Sequence, residues 1–308
     1  MRTLAYFVAM IVGTLLLASL LVYPVFQLTL AVNPEWPFHK VASRLWLMLV
    51  LAATGLLGRR LALSRTDWGY GVPAPAFRRE LLRGFAAGLV SMLPVAAMLI
   101  ALGTRPLVSV TTARFVHLVV SGLLSGLAVG VIEETLFRGL LQGAVMRDIG
   151  RRAGARFAGL LLVSAFYSAL HFLARITIPA TEVTPASGLH LLSAVANDFV
   201  HFGRIADAFL ALTAVGLLLS LTRLYTGSIA LAIGLHAGWV LVMRVAVGVT
   251  ARPMDAPTAW LASQSDGFTG WLVFAWTLAI VGTLLALGRV PGLPSRAGSV
   301  PAADARPD

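Results

Sequence analysis

Long apolar runs, separated by short polar links, organise the chain. The first, Leu4 to Val32, carries no charge and exceeds the roughly 20 residues that cross a bilayer as a helix. A secretory signal would have a shorter apolar core and a small-residue cleavage site, so this run reads as an uncleaved span. Further spans are expected at about Leu45–Leu57, Leu82–Leu102 with Pro94 as a kink, Phe115–Val145 and Phe157–Leu173. Three more follow at Ile205–Leu221, Ser228–Val249 and Gly270–Leu287. The pattern predicts an all-α polytopic membrane bundle of about eight transmembrane helices.

The links carry the polar residues. Arg59 to Arg83 holds six arginines with Trp68, Tyr70 and two prolines, which predicts an interfacial segment with aromatic anchors at headgroup level. The less apolar stretch Arg175–Arg204, with Pro179, Pro185, His190, Asn197, Asp198 and His201, is too long for a turn and predicts an interfacial or re-entrant helix. From Arg289 the chain is rich in Pro, Gly, Ser and Ala and is expected to be disordered. Three regions result: residues 1–83 with two spans and the basic segment, a core at 84–249, and 250–308 with the last span and tail.

Composition agrees with a membrane protein: 58% hydrophobic, 12% charged, mean hydropathy +0.86. The net charge of +11 would suggest nucleic acid in a soluble chain. Here the basic residues flank apolar spans, so the lipid bilayer is the expected partner and nucleic acid is not. With eight spans both termini share a side, and 15 of the 24 basic residues fall on it. The positive-inside rule makes that side cytoplasmic. Cysteine is absent, which excludes disulfides and thiolate chemistry.

Within the fourth run lies Val131-Ile-Glu-Glu-Thr-Leu-Phe-Arg138, two carboxylates and an arginine inside hydrocarbon. Charges there cost ~2.5–3.5 kcal/mol each on insertion scales and usually serve a function. Glu134 and Arg138, four apart on a helix, can neutralise each other. Glu133 has no such partner and is the candidate general base for water. His171 and His236 sit within other spans at depths that differ by one or two helical turns, so all three can face one cavity. That set suits hydrolysis, with a histidine orienting water or stabilising an oxyanion. A divalent metal such as zinc, held by His171, His236 and Glu133, would lower the water pKa to the same end. No HExxH is present, and the sequence leaves metal-assisted and metal-free chemistry open. His190 and His201 read as solvated surface, His117 as an interface residue, Arg244 as a snorkelling side chain, and Gly227, Gly234 and Gly238 as points of close helix approach.

These residues resemble the motifs of the CPBP intramembrane proteases, also called the Abi or CAAX-protease and bacteriocin-processing family, which includes the Ras-converting enzymes. Its Glu-Glu-x-x-x-Arg motif is matched by Glu133, Glu134 and Arg138. Its aromatic followed four residues later by His is matched by Tyr167 and His171, with Tyr where Phe is usual. Of its His-x-x-x-Asn motif His236 is present, and Val240 stands where Asn or Asp is usual. The resemblance covers about Gly84–Val249. It implies an intramembrane endopeptidase acting on membrane-associated peptides or lipidated proteins, glutamate-dependent and, if a metal binds, a metalloprotease. Glu133 would activate water, His171 assist it, His236 hold the oxyanion and Arg138 anchor Glu134. A lost oxyanion donor is worth ~2.7–4 kcal/mol, so Val240 also admits a non-catalytic immunity or scaffold protein on the same fold. A proton-coupled transporter is the third alternative, opposed by the lack of inverted internal repeats.

Overall fold

The computed structural model describes all residues except 1, 34, 150–152, 173–177, 254, 265 and 289–308, so the expected disordered tail lies outside the described residues. The architecture is all-α. Its helices are α1 (Arg2–Val32), α2 (Phe38–Arg60), α3 (Ala74–Ala101), α4 (Thr112–Glu134), α5 (Gly143–Ile149), α6 (Ala153–Leu170), α7 (Ser187–Val200), α8 (Ala206–Thr226), α9 (Ala230–Gly248) and α10 (Trp271–Ala286). Among the described residues there is no strand, only one isolated bridge between Leu107 and Thr250. Six helical stretches, counting 112–149 as one, are long and apolar enough to cross a membrane, and α6 and α10 are shorter apolar helices. The chain is an integral multi-pass membrane protein. The link at 175–204 carries α7, whose Gly188 packs against the Ser19 backbone midway along α1.

Hydrophobic burial does not distinguish one helix from another inside lipid, so close packing and polar contacts must hold the bundle. The α9 helix lies between α3 and α4, and glycines line both seams. A Cβ at Gly84 or Gly88 would overlap backbone of α9, and one at Gly234 would overlap the Leu81 carbonyl oxygen. Gly126 and Gly130 bring α4 equally near to Ala237 and Ile233. Gly227 differs from the expected close approach: nothing lies within 4 Å, and its φ of 71° makes it the left-handed cap that stops α8. We expect Gly234→Ala to cost about 1–3 kcal/mol through overpacking, read as a lowered melting temperature in detergent. Gly13→Ala, with open space around it, is the control expected to melt like wild type.

The basic link exposes all six of its arginines, but its aromatic residues turn inward onto the bundle. Between α2 and α3 the chain folds back under the bundle, and the Trp68 indole wedges between Gly58 of α2 and Gly139. The Tyr70 hydroxyl pairs with Thr135 Oγ1 at 2.6 Å. Residues 61–73 therefore prop the segment that follows α4. That segment, Thr135–Gln142, is a π-helix, a wider turn that often marks functional sites. Its side chains are fastened to α8, with Arg138 Nη2 donating to the Gly216 carbonyl at 2.8 Å and Gln142 Nε2 to that of Ser220 at 3.0 Å. Edge-on packing of Phe137 against Tyr167, 5.1 Å between centroids, ties it to α6. At the opposite end buried Arg105 binds the Gly267 carbonyl at 2.7 Å and Thr250 Oγ1 at 2.8 Å, which pins the loop before α10.

Candidate active site

The paired charges come first because they position the rest. Glu134 ends α4 and Arg138 sits one turn on; both side chains are fully buried. Arg138 Nε lies 3.2 Å from Glu134 Oε2 and its Nη1 donates to Oε1 at 3.3 Å. The guanidinium also stacks over the Tyr167 ring at 4.5 Å, so its charge is met by carboxylate, carbonyl and π-face together. From α9, His236 Nδ1 reaches Glu134 Oε1 at 2.8 Å. A carboxylate only accepts, so Nδ1 carries the proton and Nε2 faces away from Glu134. Arg138, Glu134 and His236 thus form one buried chain.

Glu133, 25% exposed, stands clear of that chain. Its Oε2 lies 3.6 Å from His171 Nε2 and 3.9 Å from His236 Nε2. Both separations are too long for direct hydrogen bonds and fit a bridging water. His171 follows the last residue of α6, where the imidazole Nδ1 donates to the Tyr167 carbonyl at 2.8 Å. That bond satisfies a helix-end carbonyl and places a proton on Nδ1, which turns Nε2 toward Glu133. Tyr167 packs between the groups, its ring 4.5 Å from that of His171 and 6.3 Å from that of His236, and its hydroxyl interacts with Glu133.

Beside these groups lies a cavity of about 270 Å³, lined by His171, His236 and Tyr167. Its walls are largely apolar, including Met92, Leu212, Val215, Met243 and Val273. Val129, one turn before Glu133, and Val240 also face it. Phe268 and Thr269 close one end on the loop pinned by Arg105. Val240 brings no donor. The Trp239 indole is committed elsewhere, to Ser91 Oγ on α3 at 2.8 Å. His117, His190, His201 and Arg244 are exposed and take no part.

Among the described residues no group of three His, Asp or Glu side chains is arranged to hold an ion. His171 and His236 both give Nδ1–H to the protein and turn Nε2 toward Glu133 Oε2, so these three are the groups that would hold a metal if one bound. The sequence reading used Tyr167 only as a ring; the signal it passed over was the hydroxyl that distinguishes Tyr from the usual Phe.

No curated protein and no solved structure matches the chain. Residues 115–242 match the family model described as type II CAAX prenyl endopeptidase, Rce1-like, a stretch that carries the first two motifs and the His236 half of the third and supports an intramembrane protease of the CAAX type.

Proposed function

We propose that the chain hydrolyses peptide bonds with water activated by Glu133. The observation that carries this reading is the contrast between neighbours: Glu134 is fully buried and held by Arg138 and His236 at 2.8–3.3 Å, while Glu133 is partly exposed and turns Oε2 toward two imidazole Nε2 atoms at 3.6 and 3.9 Å. Water between Glu133 and His171 gives its proton to Glu133 as its oxygen attacks the scissile carbonyl carbon. The C=O electron pair moves to oxygen, where an Nε2–H on His236, whose Nδ1–H is held by Glu134, would donate. When the C–N bond breaks, the proton held by Glu133 passes to the leaving amine and the carboxylate is restored. Every step runs on protein groups.

Substrate class follows from the family match and the cavity walls together. Both support a membrane-bound peptide with a prenylated or otherwise hydrophobic segment. The test is cleavage of an internally quenched peptide ending in farnesylated Cys-aliphatic-aliphatic-X by the purified chain, with Glu133→Gln as the discriminating variant.

Tyr167 would stand in for the donor absent at Val240. Its phenol, paired with Glu133 in the resting site, lines the same cavity and can turn to the oxyanion once Glu133 has taken the water's proton. One oxyanion donor is worth about 10²–10³ in kcat. We expect Tyr167→Phe to lower kcat by about that factor with KM and melting temperature unchanged, and Val240→Asn in that background to recover part of it. Full activity in Tyr167→Phe would remove the phenol from the mechanism. The second reading, a non-catalytic scaffold, is favoured by Val240 and requires that Glu133→Gln leave the biological activity intact.

A further inference from the structure

At the end of the bundle where α5 and α8 finish and α6 begins, three arginines from three helices converge. Arg147 of α5, Arg156 of α6 and Arg223 of α8 line a recess of about 410 Å³ with Thr66, Asp67 and Gln142. This recess is separate from the cavity lined by His171 and His236 and shares no lining residue with it. Two guanidiniums are held in place from behind. Arg147 Nη2 donates to the Leu61 carbonyl at 2.8 Å, and Arg223 Nη2 donates to those of Thr66 and Asp67 at 2.9 and 3.1 Å. Yet Nε of both Arg156 and Arg223 is buried without a hydrogen-bond partner, as is Oε1 of Gln142, which is 2% exposed. Buried donors left unpaired are costly, so such a cluster calls for a ligand rich in acceptors.

Charge points the same way. Among the described residues the recess holds one carboxylate, Asp67, whose Oδ2 accepts from the Ser64 backbone N–H and hydroxyl at 2.8 Å each. Burial raises this carboxyl, but the Ser64 hydrogen bonds and the charges of Arg147 and Arg223 outweigh it and hold the group below the usual carboxylate range. Asp67 is therefore ionised and answers one of three cations. A phosphate ester supplies the missing negative charge and several acceptor oxygens in the geometry that guanidinium groups match. Position supplies its source: the recess lies where membrane helices end, at the level of lipid headgroups.

We propose that this recess binds a phosphate group, that of an anionic phospholipid in the surrounding leaflet. Gln142 Oε1 would accept from a headgroup hydroxyl, which makes phosphatidylglycerol the suitable probe. Because Gln142 ends the π-helix that begins after Glu134, occupancy would brace the helix bearing both carboxylates.

The test titrates phosphatidylglycerol, phosphatidylcholine and inorganic phosphate separately into the full chain in neutral detergent. Melting temperature and lipid retention by native mass spectrometry are the readouts. Phosphatidylglycerol is expected to raise the melting temperature and to be retained, phosphatidylcholine much less so. Arg156→Gln, which breaks no hydrogen bond among the described residues, should weaken phosphatidylglycerol binding about fivefold, and Arg147→Gln should act similarly. Arg114→Gln, exposed on the first turn of α4, should change nothing. Arg156-dependent stabilisation by millimolar inorganic phosphate, equal to that by lipid, would keep the phosphate site but assign it a soluble ligand. Equal effects of the two lipids, or binding unaffected by both Arg156→Gln and Arg147→Gln, would overturn the proposal.

Discussion

Replacing Glu133 by Gln is expected to lower kcat for the farnesylated peptide by about 10²–10⁴-fold, the range contributed by a positioned general base. The substitution keeps size and shape and removes only the capacity to accept a proton. Its structural cost should be small, because Glu133 is partly exposed and its Oε2 holds no hydrogen bond that the fold depends on. Melting temperature and KM should therefore stay near wild type while kcat collapses. His171→Ala should reduce kcat similarly, since the imidazole supplies the second contact to the same water. Unchanged cleavage in Glu133→Gln would sink the hydrolase reading. Absence of Glu133-dependent cleavage in the wild-type chain would leave the scaffold reading standing.

The helices themselves were legible because an apolar run of some 20 residues admits few other structures in lipid. The predicted runs at 205–221, 228–249 and 270–287 lie within a few residues of α8, α9 and α10 at most of their ends. Direction was harder. An aromatic side chain that faces lipid and one that faces protein look alike in a sequence, which is why Trp68 and Tyr70 were expected at the membrane surface. Both instead pack on the π-helix. The π-helix was also invisible, since the four-residue spacing of Glu134 and Arg138 suits an ordinary α-helix. Only the contacts to Gly216 and Ser220 reveal what the wider turn accomplishes. Gly227, by contrast, could have been read correctly: a Gly directly after a helix with Arg223 in its last turn is a stop signal. Arg223, at the end of an apolar run, looks like any basic residue that flanks a span, and nothing in the sequence ties it to the carbonyls of Thr66 and Asp67.

Glu134→Ala should be the most destabilising single change in the chain. It strands Arg138 and His236, both buried, the first at 0% and the second at 5% exposure. Removing one partner of a buried pair typically costs about 3–5 kcal/mol, because the remaining charge has neither water nor counterion. Melting temperature in detergent and the yield of folded protein should both fall sharply. The same physics predicts that Glu134→Leu with Arg138→Met together restores much of the loss, since replacing a buried pair by apolar groups is often neutral. Activity should not return with stability. His236 would lose the carboxylate that orients its ring through Nδ1, so its Nε2 could no longer be aimed at an oxyanion, and kcat should stay at least about tenfold down. A double variant that regains both stability and full kcat would mean that Glu134 and Arg138 only hold the helices together and that His236 needs no charged support.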